Sequence, residues 1–562
     1  MKYEVKKYMR DLMVEITSAK SGDQTLKIEN YYIHSKYNPV REAEQFAAKN
    51  FEQGKIHIIL GHGLGYYTEA FKQHSDNTDL IIMEPIEQFS HDENVNYIEN
   101  EDAIKKVVNK YINKICDINI ITIPNYEKFF LDMKELVIKV VRDQLEILKI
   151  FENTVNNQTD LWQENFIRNL AFVHKDYDIH SLYQTCELPI VIASGGPSLD
   201  KQIPLMKKYK DQFILIAAGS TITSLVKHEL EPDYVIVMDG KLNNYKLFED
   251  LQLKRAKLIY GLVTHFKIRE TYPQQCFHYF TSECLGLENA YKQFTECEPL
   301  YLHGGGSVSS YALSFARYIS SGPITFVGQD LAYTDGISHA QSSKKIFKIS
   351  DTFKKSQGLF ETVGYNGGNV LTSHSFLAMK HVIEIILEEF EYRETIFNST
   401  ESGLNIDGIE NLKFQQFIER YIKDSNSNKK NDLQLNNYIK NENILQGLNN
   451  EIDNLNKALR ILNDSRILLV STKSSTTFSV SVLKKLDSND KKINEAIRDS
   501  LINVSAQMIM LKYNSIENST FLSEQYESIY YKNMGLIENL ILLIQTSMTY
   551  MKAAIHFINE GS

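Results

Sequence analysis

The residues best suited to chemistry start at Ser194-Gly195-Gly196-Pro197-Ser198-Leu199-Asp200, directly after the apolar run LPIVIA (188–193). Two glycines allow a tight turn and a close approach to a ligand. Pro197 can open a helix, where its missing N–H costs nothing, and Ser198 can cap it or donate. The free amides of such a helix start form a natural seat for a phosphate. A plain strand-to-helix turn would use the same residues, so this motif alone does not decide. Two further clusters follow the next apolar runs. Gly219, Ser220 and Thr221 come after FILIAA, and Asp239, Gly240, Asn243 and Asn244 after YVIVMD.

A third set is His303-Gly304-Gly305-Gly306-Ser307-Val308-Ser309-Ser310, which opens a helix leading to the run ITFVG. Gln329, Asp330 and Tyr333 stand just beyond that run, and His339 follows in GISHA. A histidine titrates near neutrality, which makes His339 a candidate general base. His374 is a second, in GGNVLTSH ahead of an amphipathic segment. Asn398-Ser399-Thr400-Glu401-Ser402-Gly403 supplies hydroxyl, amide and carboxylate groups suited to sugar hydroxyls.

These clusters converge only if the runs before them are parallel strands. LPIVIA, FILIAA, YVIVMD, KLIYGLV, FHYF and ITFVG are continuous apolar runs and do not alternate, as expected of a parallel sheet covered on both faces. In an open sheet of that kind, ligands lie in the crevice beyond the carboxyl ends of the strands. The expected fold class is α/β: a Rossmann-like central domain (151–410), preceded by an α/β domain (1–150) and followed by an all-helical domain (411–562). In the first of these, HIIL runs into GHGLGYYTEAF, and DLIIM ends at Glu84. Gly61, Gly63 and Gly65 imitate a dinucleotide fingerprint without its full spacing. A long helical stretch spans about 126–175. The polar stretch 423–437 reads as a connection, and helical periodicity runs from there to the end.

A chain of 562 residues exceeds one core, and 43% apolar content marks it as globular. A net charge of −10 argues against nucleic acid as the partner. Five cysteines without a CxxC pair give neither a disulfide framework nor a zinc site and suit a reducing, cytoplasmic setting. A membrane span is not expected. The most apolar segment, 534–558, carries Glu538, Gln545 and Lys552 at seven-residue spacing, one polar stripe on a helix packed against others. The one Asp-x-Asp, Asp176-Tyr177-Asp178, precedes the central strands, which argues against a metal-clamped diphosphate donor; no metal site is implied.

ASGGPSLD, EPDYVIVMDG, HGGGSVSSYALSFA, ITFVGQDLAYTDGISHA, GGNVLTS and NSTESG, in this order, resemble the motif series of the motility-associated factor (Maf) flagellin glycosyltransferases. GHGLGYYTEAF and IIMEP are similar to that family's first domain, so the resemblance covers roughly 55–410. The central block is also similar to bacterial sialyltransferases that use CMP-sialic acid. The resemblance implies a cytoplasmic enzyme moving a nonulosonic acid, of pseudaminic or legionaminic type, from a CMP donor to a flagellin Ser or Thr. By motif, Ser194, Gly195, Gly196, Pro197, Ser198 and Ser307 would hold the nucleotide, with Ser220 near it or the sugar; Asp239, Gly306 and Gln329, at the neighbouring strand ends and helix start, are further donor-binding candidates. Tyr333 would assist the departing phosphate. His339, His374 or Asp330 would take the acceptor proton, and Asn243, Thr372, Thr400 and Glu401 would face acceptor or sugar. The SGGPS turn also resembles archaeal pterin pyrophosphokinases, and a non-catalytic flagellin-binding scaffold is the rival from another class.

Overall fold

The structure is a computed structural model that describes residues 2–7, 10–74, 80–112, 114–284, 286–422, 435–473, 478–514 and 522–560. Most of the polar connection expected at 423–437 lies outside the described residues. The chain divides into two compact units, Met1–Asn153 and Thr154–Ser562.

The first unit opens with strands β1 (Lys2–Lys7), β2 (Arg10–Ser18), β3 (Gln24–Ile28) and β4 (Tyr31–Tyr32), paired antiparallel in that order. Asn38 then caps the helix Pro39–Asn50 by accepting from the Arg41 N–H, with the proline at the first helical position where it fits best. A parallel sheet follows, built from β5 (Ile56–Leu60), β6 (Leu80–Glu84), β7 (Val95–Tyr97) and β8 (Ile118–Thr122) in the order β7-β6-β5-β8. This is the strand, turn, helix, strand grammar read from the sequence. The antiparallel meander before it is an addition. A helical stretch, Glu127–Leu170, broken at Phe130 (φ −128°, ψ 34°), occupies most of the segment expected to be helical.

The second unit is organised by eight parallel strands: β9 (Ile190–Ala193), β10 (Ile214–Ala218), β11 (Tyr234–Val237), β12 (Lys257–Gly261), β13 (Cys276–Tyr279), β14 (Ile324–Val327), β17 (Ile396–Asn398) and β18 (Glu410–Asn411). A separate antiparallel hairpin, β15 (Phe360–Val363) with β16 (Asn369–Thr372), precedes β17. The sheet order is β13-β12-β11-β10-β9-β14-β17-β18. From β9 the chain adds strands on one side as far as β13, then returns to place β14 on the other side of β9. β9 and β14 therefore border the point where strand order reverses, and a crevice opens there beyond their carboxyl ends. Ile190, Val191, Ile192 and Ala193 are all fully buried, as a strand covered on both faces requires.

A short helix, Phe414–Tyr421, follows β18, and four more are described beyond it: Asn441–Thr472, Val480–Arg498, Asn503–Asn514 and Leu522–Glu560. Leu448, Leu455, Leu462 and Leu469 recur every seventh residue on the helix Asn441–Thr472 and are all buried, a continuous apolar seam. The last contains the one segment among the described residues, Tyr526–Glu560, long and apolar enough to cross a membrane. Its Ile537, Ile544, Met551 and Ile558 lie in the core, while Glu538, Gln545 and Lys552 are exposed, the single polar stripe expected from the sequence. That core is continuous with one face of the parallel sheet.

Candidate functional site

A cleft of about 300 Å³ occupies the crevice at the reversal of strand order. Four strand ends contribute to its wall: Ser194, Gly195 and Gly196 after β9, Gly219 and Ser220 after β10, Asp239 after β11, and Gln329 and Asp330 after β14. Ser307 and Ser309 enter from the start of the helix Val308–Ile319, and His339, Ser338 and Lys345 from the loop beyond β14. Asn244 also lines the wall, and Phe248, Ile268, Phe376 and Met379 supply its apolar part. Of the residues expected from the sequence, Ser194, Gly195, Gly196, Ser220, Asp239, Ser307, Gln329, Asp330 and His339 thus meet in one place.

The turn after β9 holds itself together by internal bonds. The Gly196 N–H donates to the Gly328 carbonyl at 2.8 Å, the Ser198 N–H to Asp330 Oδ2 at 3.1 Å, and the Leu199 N–H to the Gly196 carbonyl at 3.1 Å. Most amides of the expected phosphate seat are therefore spent within the protein. Ser198 makes no cap either. Its hydroxyl donates to Asp330 Oδ2 at 2.6 Å, and Thr334 donates to Asp330 Oδ1 at 3.0 Å. Asp330 is 1% exposed. Burial lifts its carboxyl above the usual range, against the bonds from Ser198 and Thr334 that lower it. Asp330 thus clamps the turn after β9 to the turn after β14. Gly196 must be glycine for this contact, because a Cβ there would stand 2.2 Å from Asp330 Oδ2 and 2.5 Å from the Gly328 carbonyl.

The open anion seat is the other helix start. Ser307 makes no capping bond to the helix Val308–Ile319; its hydroxyl lies 2.8 Å from that of Ser309. The first N–H groups of a helix have no partner inside it, so these amides remain available to an anion. Two buried polar atoms point the same way. Among the described residues, the Ser194 hydroxyl and the Gln329 Oε1 have no hydrogen-bond partner, a condition that costs about 1–3 kcal/mol per group unless a ligand or water relieves it. His339 is half-buried, its Nδ1 3.1 Å from the Ser338 hydroxyl. Burial, and then the charge of Lys345, lower its pKa, so the imidazole is neutral at neutral pH and able to accept a proton.

Other expected residues stand off the wall. Tyr333 packs against Phe376 with ring centroids 5.1 Å apart and lies behind that side chain. His374 opens the helix His374–Glu388 and rests against Phe360 at 4.8 Å. Phe376 and Met379, the cleft residues of that helix, are roughly 200° and 140° farther round it. The Thr372 hydroxyl donates to the Leu331 carbonyl at 2.9 Å, and the Thr400 hydroxyl accepts from the Gln329 N–H at 3.1 Å, so both shape the loop after β14. Glu401 accepts from the Phe414 N–H at 3.1 Å. Pro197, Ser198, Asn243 and Gly306 do not line the cleft either. Lys345 was not anticipated, since a lysine pair in a polar loop ordinarily reads as solvated surface.

Two other motifs are occupied from within. Asp176 is buried against Arg269, which donates from Nε at 2.6 Å, with Tyr260 at 2.7 Å and His278 at 2.9 Å. Burial works to raise its carboxyl, but the Arg269 charge and the bonds from His278 and Tyr260 outweigh this and hold it below the usual range. In the first unit Glu84 folds back over its own glycine turn. It accepts from the N–H groups of His62 (2.6 Å), Gly63 (3.1 Å) and Ile86 (2.7 Å), and from the Tyr126 hydroxyl. The amides that a dinucleotide phosphate would use are thus held by the protein's own carboxylate.

Comparison with known proteins adds to this geometry. Residues 164–336 match the family model described as 6-hydroxymethylpterin diphosphokinase MptE-like. Two uncharacterized proteins of Treponema pallidum (strain Nichols) are similar. One is 32% identical over 74 residues, covering 12% of this chain and 25% of that protein. The other is 24% identical over 250 residues, 42% of this chain and 41% of that protein. The matches thus span less than half the length of either curated relative. The structure of the MAf glycosyltransferase from Magnetospirillum magneticum AMB-1 aligns over 98% of this chain and 94% of its own, with a TM-score of 0.53 and 13% identity. The likeness is one of fold: the α/β architecture with a helical C-terminal region expected from the sequence is the architecture found.

Proposed function

We propose that this chain is a glycosyltransferase that moves a nonulosonic acid, of pseudaminic or legionaminic type, from a CMP donor to Ser or Thr hydroxyls of flagellin in the cytoplasm. The observation that carries the reading is the cleft at the strand-order reversal, where an uncapped helix start and the unpartnered Ser194 hydroxyl share a wall with a neutral histidine. The fold shared along the chain with a MAf glycosyltransferase, and the motif series, supply the sugar-transfer chemistry.

In this reading the donor phosphate lies at the helix start of Val308, where the amides of Val308 and Ser309 stabilise charge as the sugar–phosphate bond breaks. The anomeric carbon develops oxocarbenium character, and the departing CMP keeps the bonding electrons. The acceptor hydroxyl attacks from the opposite face and gives its proton to His339, which inverts the anomeric configuration. Asp330 holds the two turns in register, a positioning role, and Asp239 with Asn244 offers an acceptor and an amide to ribose or sugar hydroxyls. No step in this scheme draws on a divalent metal. Tyr333 and His374 act through Phe376 and the helix that carries it.

A second reading rests on the match of residues 164–336 to a pterin diphosphokinase model. There the same seat would hold the phosphates of ATP. Titration of the purified protein with CMP, UMP, GDP and ATP separates the two. Selective CMP binding that weakens when Ser194→Trp fills the cleft supports the transferase; tight ATP binding without CMP binding supports the diphosphokinase.

A further inference from the structure

Among the described residues, Lys345 is the one lysine or arginine on the cleft wall; the other formal charges there are the carboxylates of Asp239 and Asp330. A phosphate entering a cleft with only those two charges would be repelled. Lys345 Nζ donates to Asn244 Oδ1 at 2.9 Å, and among the described residues no carboxylate lies within ion-pair distance of it. Its partner is thus a neutral amide, which fixes the position of the ammonium without neutralising it. The residue as a whole is exposed, but its ammonium is partly desolvated, which lowers its pKa against the opposing pull of Asp239. It is also close enough to His339 to depress the histidine's pKa.

The loop that carries Lys345 is fastened to the turn it faces. The Ala340 N–H donates to the Gly195 carbonyl at 3.1 Å, and Asp200 accepts from the Gln341 N–H at 2.7 Å and the Ser342 hydroxyl at 2.6 Å. A cation held by a neutral amide, on a loop pinned to the turn after β9 in a cleft that an uncapped helix start also lines, has the attributes of a built counter-ion.

We propose that Lys345 is the phosphate-binding cation of this cleft, held in place by Asn244, and that it selects nucleotides over nucleosides. The proposal rests on the nucleotide reading above for the identity of the ligand but on the charges and bonds of the wall for the role of the lysine.

The test compares CMP with cytidine by calorimetric titration of the full chain, as wild type and as Lys345→Met, Lys345→Arg, Asn244→Ala and Lys344→Met. Lys345→Met is expected to weaken CMP about 10- to 100-fold and leave cytidine unchanged, as loss of a charge-assisted bond implies. Lys345→Arg should recover part of that loss, and Asn244→Ala should cost less than Lys345→Met. Lys344, which is 3.9 Å from Asp250, should be silent. An unchanged ratio of CMP to cytidine affinity in Lys345→Met overturns the assignment while CMP binding by the wild type keeps the transferase reading. If the wild type binds no CMP, that reading fails, and inorganic pyrophosphate decides for the lysine. Pyrophosphate binding lost in Lys345→Met upholds the assignment; binding unchanged, or absent from the wild type, overturns it.

Discussion

Replacing Asp330 separates a clamp from a catalytic acid or base. Its carboxylate receives the Ser198 N–H, the Ser198 hydroxyl and the Thr334 hydroxyl, all within 3.1 Å, and its side chain is almost wholly buried. Asp330→Ala leaves the buried Ser198 N–H and hydroxyl without their acceptor. Each stranded buried donor costs about 1–3 kcal/mol, so the loss for the two is about 2–6 kcal/mol. Part of it is offset because burial already penalises the ionised carboxyl, as its raised pKa records. Asp330→Asn keeps the volume and one acceptor but turns an amide N–H toward a donor, and should cost less, about 1–2 kcal/mol. Urea unfolding followed by circular dichroism ranks the three proteins. Wild type should unfold last and Asp330→Ala first, and hydrogen exchange at the 194–199 turn should accelerate in the same order. If Asp330→Ala unfolds at the wild-type urea concentration and loses only turnover, Asp330 belongs to the reaction and the clamp is refuted.

Three further outcomes follow from the geometry. His339→Asn should lower the transfer rate by about 10²–10⁴-fold with donor affinity retained, because it removes a base without removing the anion seat; an unchanged rate would pass the proton to another group. Burial raises the Glu84 pKa to about 7, so the folded first unit holds that proton more tightly than the unfolded chain does. Stability from this group is then greatest below about pH 4.5 and is lost as the pH rises through about 7, a difference of roughly 3 kcal/mol. Glu84→Gln should flatten that trend in a pH series of unfolding curves. Asp176→Ala strands the Arg269 guanidinium in the core and should cost about 3–5 kcal/mol, whereas replacing the pair together by apolar residues should cost less.

The strand-end clusters were legible because continuous apolar runs mark buried parallel strands, and the crevice rule then says where their ends converge. The tasks within the cleft were harder to read. Asp330 is a carboxylate beyond a strand in either role, and its partner Ser198 lies 132 residues away, so no local pattern tells clamp from base. Ser198 has the residue type of a helix cap, but the same distant carboxylate takes its hydroxyl. His374 sits two residues before a cleft side chain, and only the turn of its helix shows that it faces elsewhere. Lys345 stands on an aperiodic loop whose path is fixed by contacts to Gly195 and Asp200. The meander of the first unit had a partial signal: Leu12, Val14 and Ile16 fall at every second position with Asp11, Glu15 and Thr17 around them, but Met13 interrupts the polar set and blurs the period of a half-buried strand.

The most direct test of the sugar-transfer reading is intact-mass spectrometry of unmodified flagellin incubated with this protein and CMP-pseudaminic or CMP-legionaminic acid. The expected result is a mass gain of whole nonulosonic acid residues on flagellin with matching release of CMP, abolished by Ser194→Trp. Unchanged flagellin with both donors, together with formation of a pterin diphosphate from ATP and hydroxymethylpterin, would contradict it and place the chain among the diphosphokinases.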